Sequence, residues 1–390
     1  MAPCLVLLSL WLLVGCCLTQ GTGASGIDIA ANLGSVLPTL SRPANASRIF
    51  YGVMFDAGST GTRIHIYTFI LSAPDELPVL DNEMFHNVKP GLSAFADTPE
   101  IAGETVRQLL RVAKKTVPRL EWKRTPVVLR ATAGLRLLPP KKAQALLDQV
   151  QDAFDESPFL VPEDSVTIMN GTSEGILAWV TVNYLTGHLQ AKSKTTAGIL
   201  DLGGGSTQIT FLPKLKVSSG HDVVYLGNGI KAARLAALGA LGAEGLEWKV
   251  FKSSCLPKKF QEDWGFGGLV YKISGIHDGE CYAGYRLCYL EMERVVKGIV
   301  HQPYELKDSS VFYAFSYYFD IAAAAGLIDE SQGGMVKVSD FKRRAKEVCN
   351  KMAKHRVESP FLCMDITYIT CLLKDGFGFK DHTVLQVSRF

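Results

Sequence analysis

Two stretches decide the fold: Phe55-Asp-Ala-Gly-Ser-Thr-Gly-Thr-Arg63 and Leu200-Asp-Leu-Gly-Gly-Gly-Ser-Thr-Gln208. Each follows a β-rich apolar run, at residues 49–55 and 196–200. Each leads into a second strand-like run, at residues 63–69 and 207–211. The Gly-rich segments are therefore expected at the tips of hairpins. Both read apolar strand, Asp, any residue, Gly, small residues, strand. Asp56 and Asp201 stand 145 residues apart in the chain, a typical domain length. A repeat at that spacing predicts two similar lobes, each with one hairpin.

The surrounding sequence mixes helix and strand signals. Thr98-Pro99 is a helix start, with Ile101, Val106, Leu109, Leu110, Ala113 and Val117 at helical spacing and Pro118 as the stop. Residues 126–130 and 166–169 read as strands. Residues 143–154, 228–241 and 361–373 read as helices, and another helix begins near Glu174. Residues 250–310, with Gly, Pro and three cysteines, read as irregular. The class is α/β.

Hydrophobic residues are 47% and charged residues 20% of the 390, which excludes a chain disordered throughout. Lys+Arg of 41 against Asp+Glu of 38 is too balanced for a nucleic-acid binder. Residues 1–27 carry no charged side chain, and 5–18 is a mostly apolar run shorter than the ~20 residues a spanning helix needs. Residues 1–24 are expected to be a cleaved signal peptide, and 25–47 a poorly ordered arm. No later segment is apolar enough to span, so no stable membrane anchor is expected. Cleavage leaves Cys255, Cys281, Cys288, Cys349, Cys363 and Cys371. In an oxidising compartment these imply disulfides, with 15 connectivities open. The sequons at Asn45 and Asn170 agree with secretion, and Asn45 is the expected glycosylation site.

A Gly-rich tip exposes backbone N–H groups to an anion, and such nests bind phosphate. An Asp at the end of the preceding strand can hold a hydrated divalent cation that bridges to the phosphate. One such tip is a weak signal, whereas two with the same Asp-x-Gly start are much stronger. The sequence has no P-loop, no H-E-x-x-H and no G-x-S-x-G. Gly227-Asn-Gly229 taken alone carries no weight.

These two stretches, with Arg130-Ala-Thr-Ala-Gly-Leu-Arg-Leu-Leu138, Ser173-Glu-Gly-Ile-Leu-Ala-Trp179 and Tyr225-Leu-Gly-Asn-Gly229, resemble the apyrase family, the ecto-nucleoside triphosphate diphosphohydrolases. The resemblance covers residues 48–385. Lys89-Pro-Gly-Leu-Ser93, Phe312-Tyr-Ala-Phe-Ser-Tyr-Tyr318 and Ser359-Pro-Phe-Leu-Cys-Met-Asp365 are most similar to its soluble nucleoside diphosphatases of the endoplasmic reticulum lumen. The resemblance implies two actin-like (ribonuclease H-like) lobes with the active site in the cleft between them. The first lobe is expected over 48–180 and the second over 181–390. The family's Trp-containing fifth motif and closing helix have no match here, so the first lobe is expected to lack that packed element.

The resemblance also assigns roles. Glu174 would be the general base, with Ser206 and Gln208 positioning the attacking water. Gly58, Ser59, Thr60 and Gly61 would cradle one phosphate, and Gly203, Gly204, Gly205 and Ser206 the other. Thr132 would sit at the terminal phosphate. Asp56 and Asp201 would hold Ca²⁺ or Mg²⁺ through water. Tyr317 is the base-stacking candidate among residues that otherwise read as core. The implied disulfides are Cys255–Cys288 and Cys349–Cys363, with Cys281 and Cys371 additional. The expected activity is hydrolysis of the terminal phosphate of nucleoside diphosphates, UDP and GDP preferred. The expected enzyme is a monomer, in the endoplasmic reticulum lumen or secreted, that removes UDP in support of glycoprotein folding. Two alternatives are a polyphosphatase-like relative and a catalytically impaired nucleotide-binding or secreted interaction protein.

Overall fold

The structure, a computed structural model, describes residues 48–389 apart from 73–76, 190–195, 213–220, 227, 243–244, 247, 277–283, 299, 301–305, 307–310 and 353–358. The expected signal peptide and arm, Asn45 and Cys281 lie outside the described residues. Those described form two compact units, 48–169 and 170–389.

The first unit is built on β1 (Arg48–Ala57), β2 (Thr62–Leu71), β3 (Val79–Val88), β4 (Val127–Ala131) and β5 (Val166–Ile168). Their order is β3-β2-β1-β4-β5, with β1 and β2 an antiparallel hairpin and β4 and β5 parallel to β1. Helices α1 (Pro99–Thr116), α2 (Ala133–Arg136) and α3 (Pro140–Asp155) fill the crossovers. The period-2 pattern of the hairpin sends Val53, Phe55, Ala57, Ile64 and Ile66 to one face. There they meet Val106, Leu109 and Leu110 of α1 and Leu146, Val150 and Phe154 of α3. The helix expected from Thr98-Pro99 forms, but Ile101 is exposed and Ala102 takes the core position.

The second unit repeats this plan. Strands β6 (Gly198–Leu202), β7 (Ser206–Phe211), β8 (His221–Leu226), β12 (Phe312–Ser316), β13 (Gly334–Lys337) and β14 (Val384–Val387) form a sheet ordered β13-β14-β12-β6-β7-β8. Again a hairpin, β6 with β7, is flanked by two strands parallel to its first member, β12 next to β6 and β14 next to β12. Helices α4 (Gly171–Leu185), α5 (Ile230–Ala237), α6 (Tyr285–Lys297), α7 (Tyr317–Ala324), α8 (Val338–Met352) and α9 (Leu362–Cys371) belong to this unit. The expected division at 180/181 therefore falls inside α4. This helix is apolar on most faces (Leu177, Ala178, Val180, Val182) and packs on β6, β7 and β8. No Gly- or Pro-rich linker marks the true boundary between Met169 and Asn170.

Residues 250–310 are more regular than expected. They contain α6 and a small sheet of β9 (Val250–Ser253), β10 (Gln261–Phe266) and β11 (Leu269–Gly275). Gly267 and Gly268, with φ of 64° and 81°, join β10 to β11 in the left-handed conformation a two-residue hairpin turn requires. The Sγ atoms of Cys255 and Cys288 lie 2.09 Å apart, and those of Cys349 and Cys363 2.10 Å apart, the two pairs the resemblance implies. Cys371 is free and buried, and burial pushes its thiol well above the usual range. Among the described residues no helix is long and apolar enough to cross a membrane.

Gly198 faces Phe312 across the β6–β12 ladder, and a Cβ there would lie 2.3 Å from the Phe312 ring. The ring is fixed edge-on against Phe379 at 5.0 Å and tilted on Phe211 at 5.8 Å. Gly198→Ala is expected to cost about 1–3 kcal/mol through overpacking. Denaturant unfolding measures this, and Gly198→Ala/Phe312→Leu should recover part of the loss.

Candidate functional site

At the first tip, Asp56 on β1 is paired directly opposite Arg63 on β2. The Gly58 N–H donates to the Gly61 carbonyl at 3.1 Å, closing a four-residue turn. Arg63 Nη1 donates to Asp56 Oδ2 at 2.5 Å and Nη2 to Thr60 Oγ1 at 3.2 Å. Both charged side chains are almost fully buried. A buried guanidinium thus lies against the tip's glycines: a Cβ on Gly58 would be 3.0 Å from Arg63 Nη1.

At the second tip, Asp201 on β6 is opposite Gln208 on β7, and the Gly203 N–H donates to the Ser206 carbonyl at 2.9 Å. The backbone plan is that of the first tip. The chemistry differs, because Gln208 occupies the place that Arg63 holds there. Gln208 Nε2 donates to Ser206 Oγ at 3.2 Å, and the Thr207 hydroxyl donates to the Asp201 carbonyl at 2.8 Å. Asp201, Ser206 and Gln208 are all buried.

The second tip is oriented from behind by α5. The N–H groups of Ile230, Lys231 and Ala232 point at the tip, Ile230 donating to Gly203 O at 2.9 Å and the other two to Gly204 O at 3.0 and 3.1 Å. In a planar trans peptide the carbonyl and the following N–H point in opposite directions. With both carbonyls turned towards α5, the Gly204 and Gly205 N–H groups face away from the helix. Two adjacent donors with one direction form an anion nest. Gly229, the N-cap, lies so close that a Cβ would come within 2.4 Å of Gly204 C and 2.5 Å of Ser206 N. The Gly227-Asn-Gly229 fragment, weightless as a motif, thus supplies the residue that lets α5 approach. The same device backs the first tip. A Cβ on Gly134 would lie 2.8 Å from Ser59 Cα, and one on Gly91 2.2 Å from Gly58 O. Thr132, the N-cap before Gly134, donates its N–H to Ala57 O at 3.3 Å.

Glu174 sits in the first turn of α4 and is 5% exposed. The helix begins earlier than expected because Asn170 caps it, accepting the Ser173 N–H at 2.7 Å. Glu174 therefore belongs to the same compact unit as Asp201, Ser206 and Gln208. Tyr317 is half-buried at the start of α7, whereas its neighbour Tyr318 is fully buried. Tyr317 follows Ser316, whose φ of 58° is strained for a residue with a Cβ.

Arg130 and His65 have structural partners. Arg130 Nη1 donates to the carbonyls of Leu129, Asp164 and Ser165, and burial lowers the guanidinium pKa to about 10. His65, fully buried on β2, bonds Glu83 through Nδ1, and burial holds its pKa below the usual value. The sulfurs of Cys288, Cys349 and Cys363 lie within 4.8 Å of one another because the two cystines are adjacent.

Gly229 has φ −67° and ψ 165°, which any residue adopts, so its requirement is space alone. Gly229→Ala is expected to push α5 off the tip and lower turnover about 100-fold with the circular dichroism spectrum retained. A steady-state assay on the folded variant measures this.

A family model described as GDA1/CD39 (nucleoside phosphatase) matches residues 44–228. A Gallus gallus protein named ectonucleoside triphosphate diphosphohydrolase 5 is 55% identical over 374 residues, 91% of this chain and 87% of its own. A Homo sapiens protein named nucleoside diphosphate phosphatase ENTPD5 is 54% identical over 367 residues, 89% of this chain and 85% of its own. Among solved structures, nucleoside triphosphate hydrolase from Neospora caninum aligns with a TM-score of 0.60 at 13% identity, covering 88% of each chain. That is a likeness of fold, and it agrees with the repeated actin-like plan of the two units. With its two Asp-x-Gly hairpin tips, each approached closely by glycines from elsewhere in the chain, and 55% identity to a curated relative over 91% of its length, the chain belongs to the GDA1/CD39 nucleoside phosphatase family.

Proposed function

We propose that this chain hydrolyses the terminal phosphate of nucleoside diphosphates, UDP and GDP foremost, as a monomer in the lumen of the secretory pathway. There it would remove the UDP released by glycosyl transfer. The observation that carries the reading is the second tip, where α5 turns two adjacent glycine amides in one direction. The printed name of the human relative, nucleoside diphosphate phosphatase, supports the substrate class.

In this reading the glycine tips 58–61 and 203–206 cradle phosphates, with Thr132 at the terminal one. Arg63, buried beside the first tip and held by Asp56 and Thr60, adds guanidinium N–H donors there. Glu174 takes the proton of the attacking water, and Ser206 and Gln208, already bonded to each other, orient it. Phosphoryl transfer needs positioning and charge neutralisation more than covalent chemistry. Tyr317 offers its half-buried ring to the base. Asp56 and Asp201 are buried carboxylates, each on the strand that leads into a tip. Hard oxygen donors of this kind suit Ca²⁺ or Mg²⁺ held through water. When bound, the cation supplies neutralisation of phosphate charge.

Glu174→Gln keeps the helix start and removes the basic oxygen. Turnover of UDP is expected to fall ~10²–10⁴-fold while UDP affinity barely changes, because the tips hold the phosphates. Rates and calorimetric binding in one preparation test this, and retention of more than about a tenth of the rate places the base elsewhere. Activity should also vanish in EDTA and return with either Ca²⁺ or Mg²⁺. Full phosphate release after exhaustive dialysis against EDTA would overturn the cation assignment.

A further inference from the structure

Helix α9 runs through the core of the second unit, and every residue from Cys363 to Cys371 is buried. Two of its buried polar side chains reach α5 and the residue before its N-cap. Asp365 accepts two bonds from Arg234, Nε at 2.8 Å and Nη2 at 2.6 Å. Tyr368, three residues further and on the same helix face, donates its hydroxyl to the Asn228 carbonyl. Asn228 lies just before the α5 N-cap and Arg234 beyond its first turn, so α9 holds α5 at both ends. The Arg234 guanidinium also lies 4.1 Å over the Phe361 ring. Burial works against its charge, and Asp365 more than offsets this, so its pKa is raised.

An ion pair this deep is not needed for cohesion, since apolar residues of the same volume pack at least as well. What it fixes is the position and rotation of α5. That is the helix whose first amides turn the Gly203 and Gly204 carbonyls and whose N-cap glycine abuts Ser206. A shift of α5 would carry the tip with it, and Ser206 and Gln208 at the start of β7.

We propose that Asp365 and Tyr368 are positioning residues for the second phosphate tip. They touch no substrate. They hold α5, α5 sets the amide directions at Gly204 and Gly205, and Ser206 and Gln208 follow. This rests on reading residues 203–206 as a phosphate cradle. The effect falls on kcat more than on KM, because the displaced side chains are those that orient the attacking water.

Tyr368→Phe removes one hydroxyl and leaves the ring in the core. Its kcat for UDP is expected to fall about 10- to 100-fold, with KM nearly unchanged and the melting temperature only slightly lowered. Arg234→Lys keeps the charge but loses the two-pronged geometry and should shift kcat the same way. Phe341→Leu, on a buried apolar residue of α8, is the comparison. It should lower the melting temperature while leaving kcat and KM of the folded enzyme unchanged. The proposal is overturned if Tyr368→Phe keeps kcat within about twofold of the parent. It is equally overturned if kcat across the three variants simply follows melting temperature. Gly205→Pro, which removes one of the two tip amides, tests the underlying reading separately. Full turnover in Gly205→Pro removes the cradle itself, whereas loss there with a normal Tyr368→Phe removes only the positioning role.

Discussion

Three backbone amides at the start of α5 point at two carbonyls of the Gly203–Ser206 turn, and the conformation of the second tip depends on that contact. A glycine tip left to itself samples many peptide orientations, because glycine is the least restricted residue. The amides of Ile230, Lys231 and Ala232 select one of them. They are helix N-terminal donors that would otherwise lack intrahelical partners. The contact therefore satisfies α5 and organises the tip at once. It requires a backbone approach that only a glycine at 229 permits.

The two hairpins share a backbone plan and differ in their side chains. Position for position, Asp56 and Arg63 match Asp201 and Gln208. At the first tip the pair is charged, with a guanidinium against glycine. At the second, the strand after the tip carries an amide bonded to a hydroxyl. One tip thus carries a buried ion pair, and the other a hydroxyl and an amide bonded to each other. A duplicated fold reaches this by changing one side chain on each second strand.

The surrounding packing explains why the tips stay where they are. In the first unit, Phe55 packs on Phe154 with ring centroids 5.3 Å apart, seating the strand that carries Asp56. In the second, β6 is buried along its whole length between β7 and β12. The two cystines tie the β9 turn to α6 and α8 to α9. Cross-links of this kind mainly restrict the unfolded chain, and they fall around the helix that carries Asp365 and Tyr368.

The sequence by itself determined the two hairpins, the α/β class and the repeat, because strand periodicity and Asp-x-Gly turns are local signals. It also placed Glu174 in a helix first turn and, through resemblance, paired the four cysteines correctly. Only the tertiary structure decided which glycines back the tips. Gly91, Gly134 and Gly229 lie 33, 76 and 26 residues from the tip residues Gly58 and Gly203, and their requirement for space arises from segments that meet on folding. It also assigned α4 to the second unit, since a helix apolar on most faces does not announce which sheet it will cover. The roles of Arg234, Asp365 and Tyr368 were hidden for the same reason. In sequence they are ordinary helix residues, and their meaning comes from a contact between helices more than a hundred residues apart.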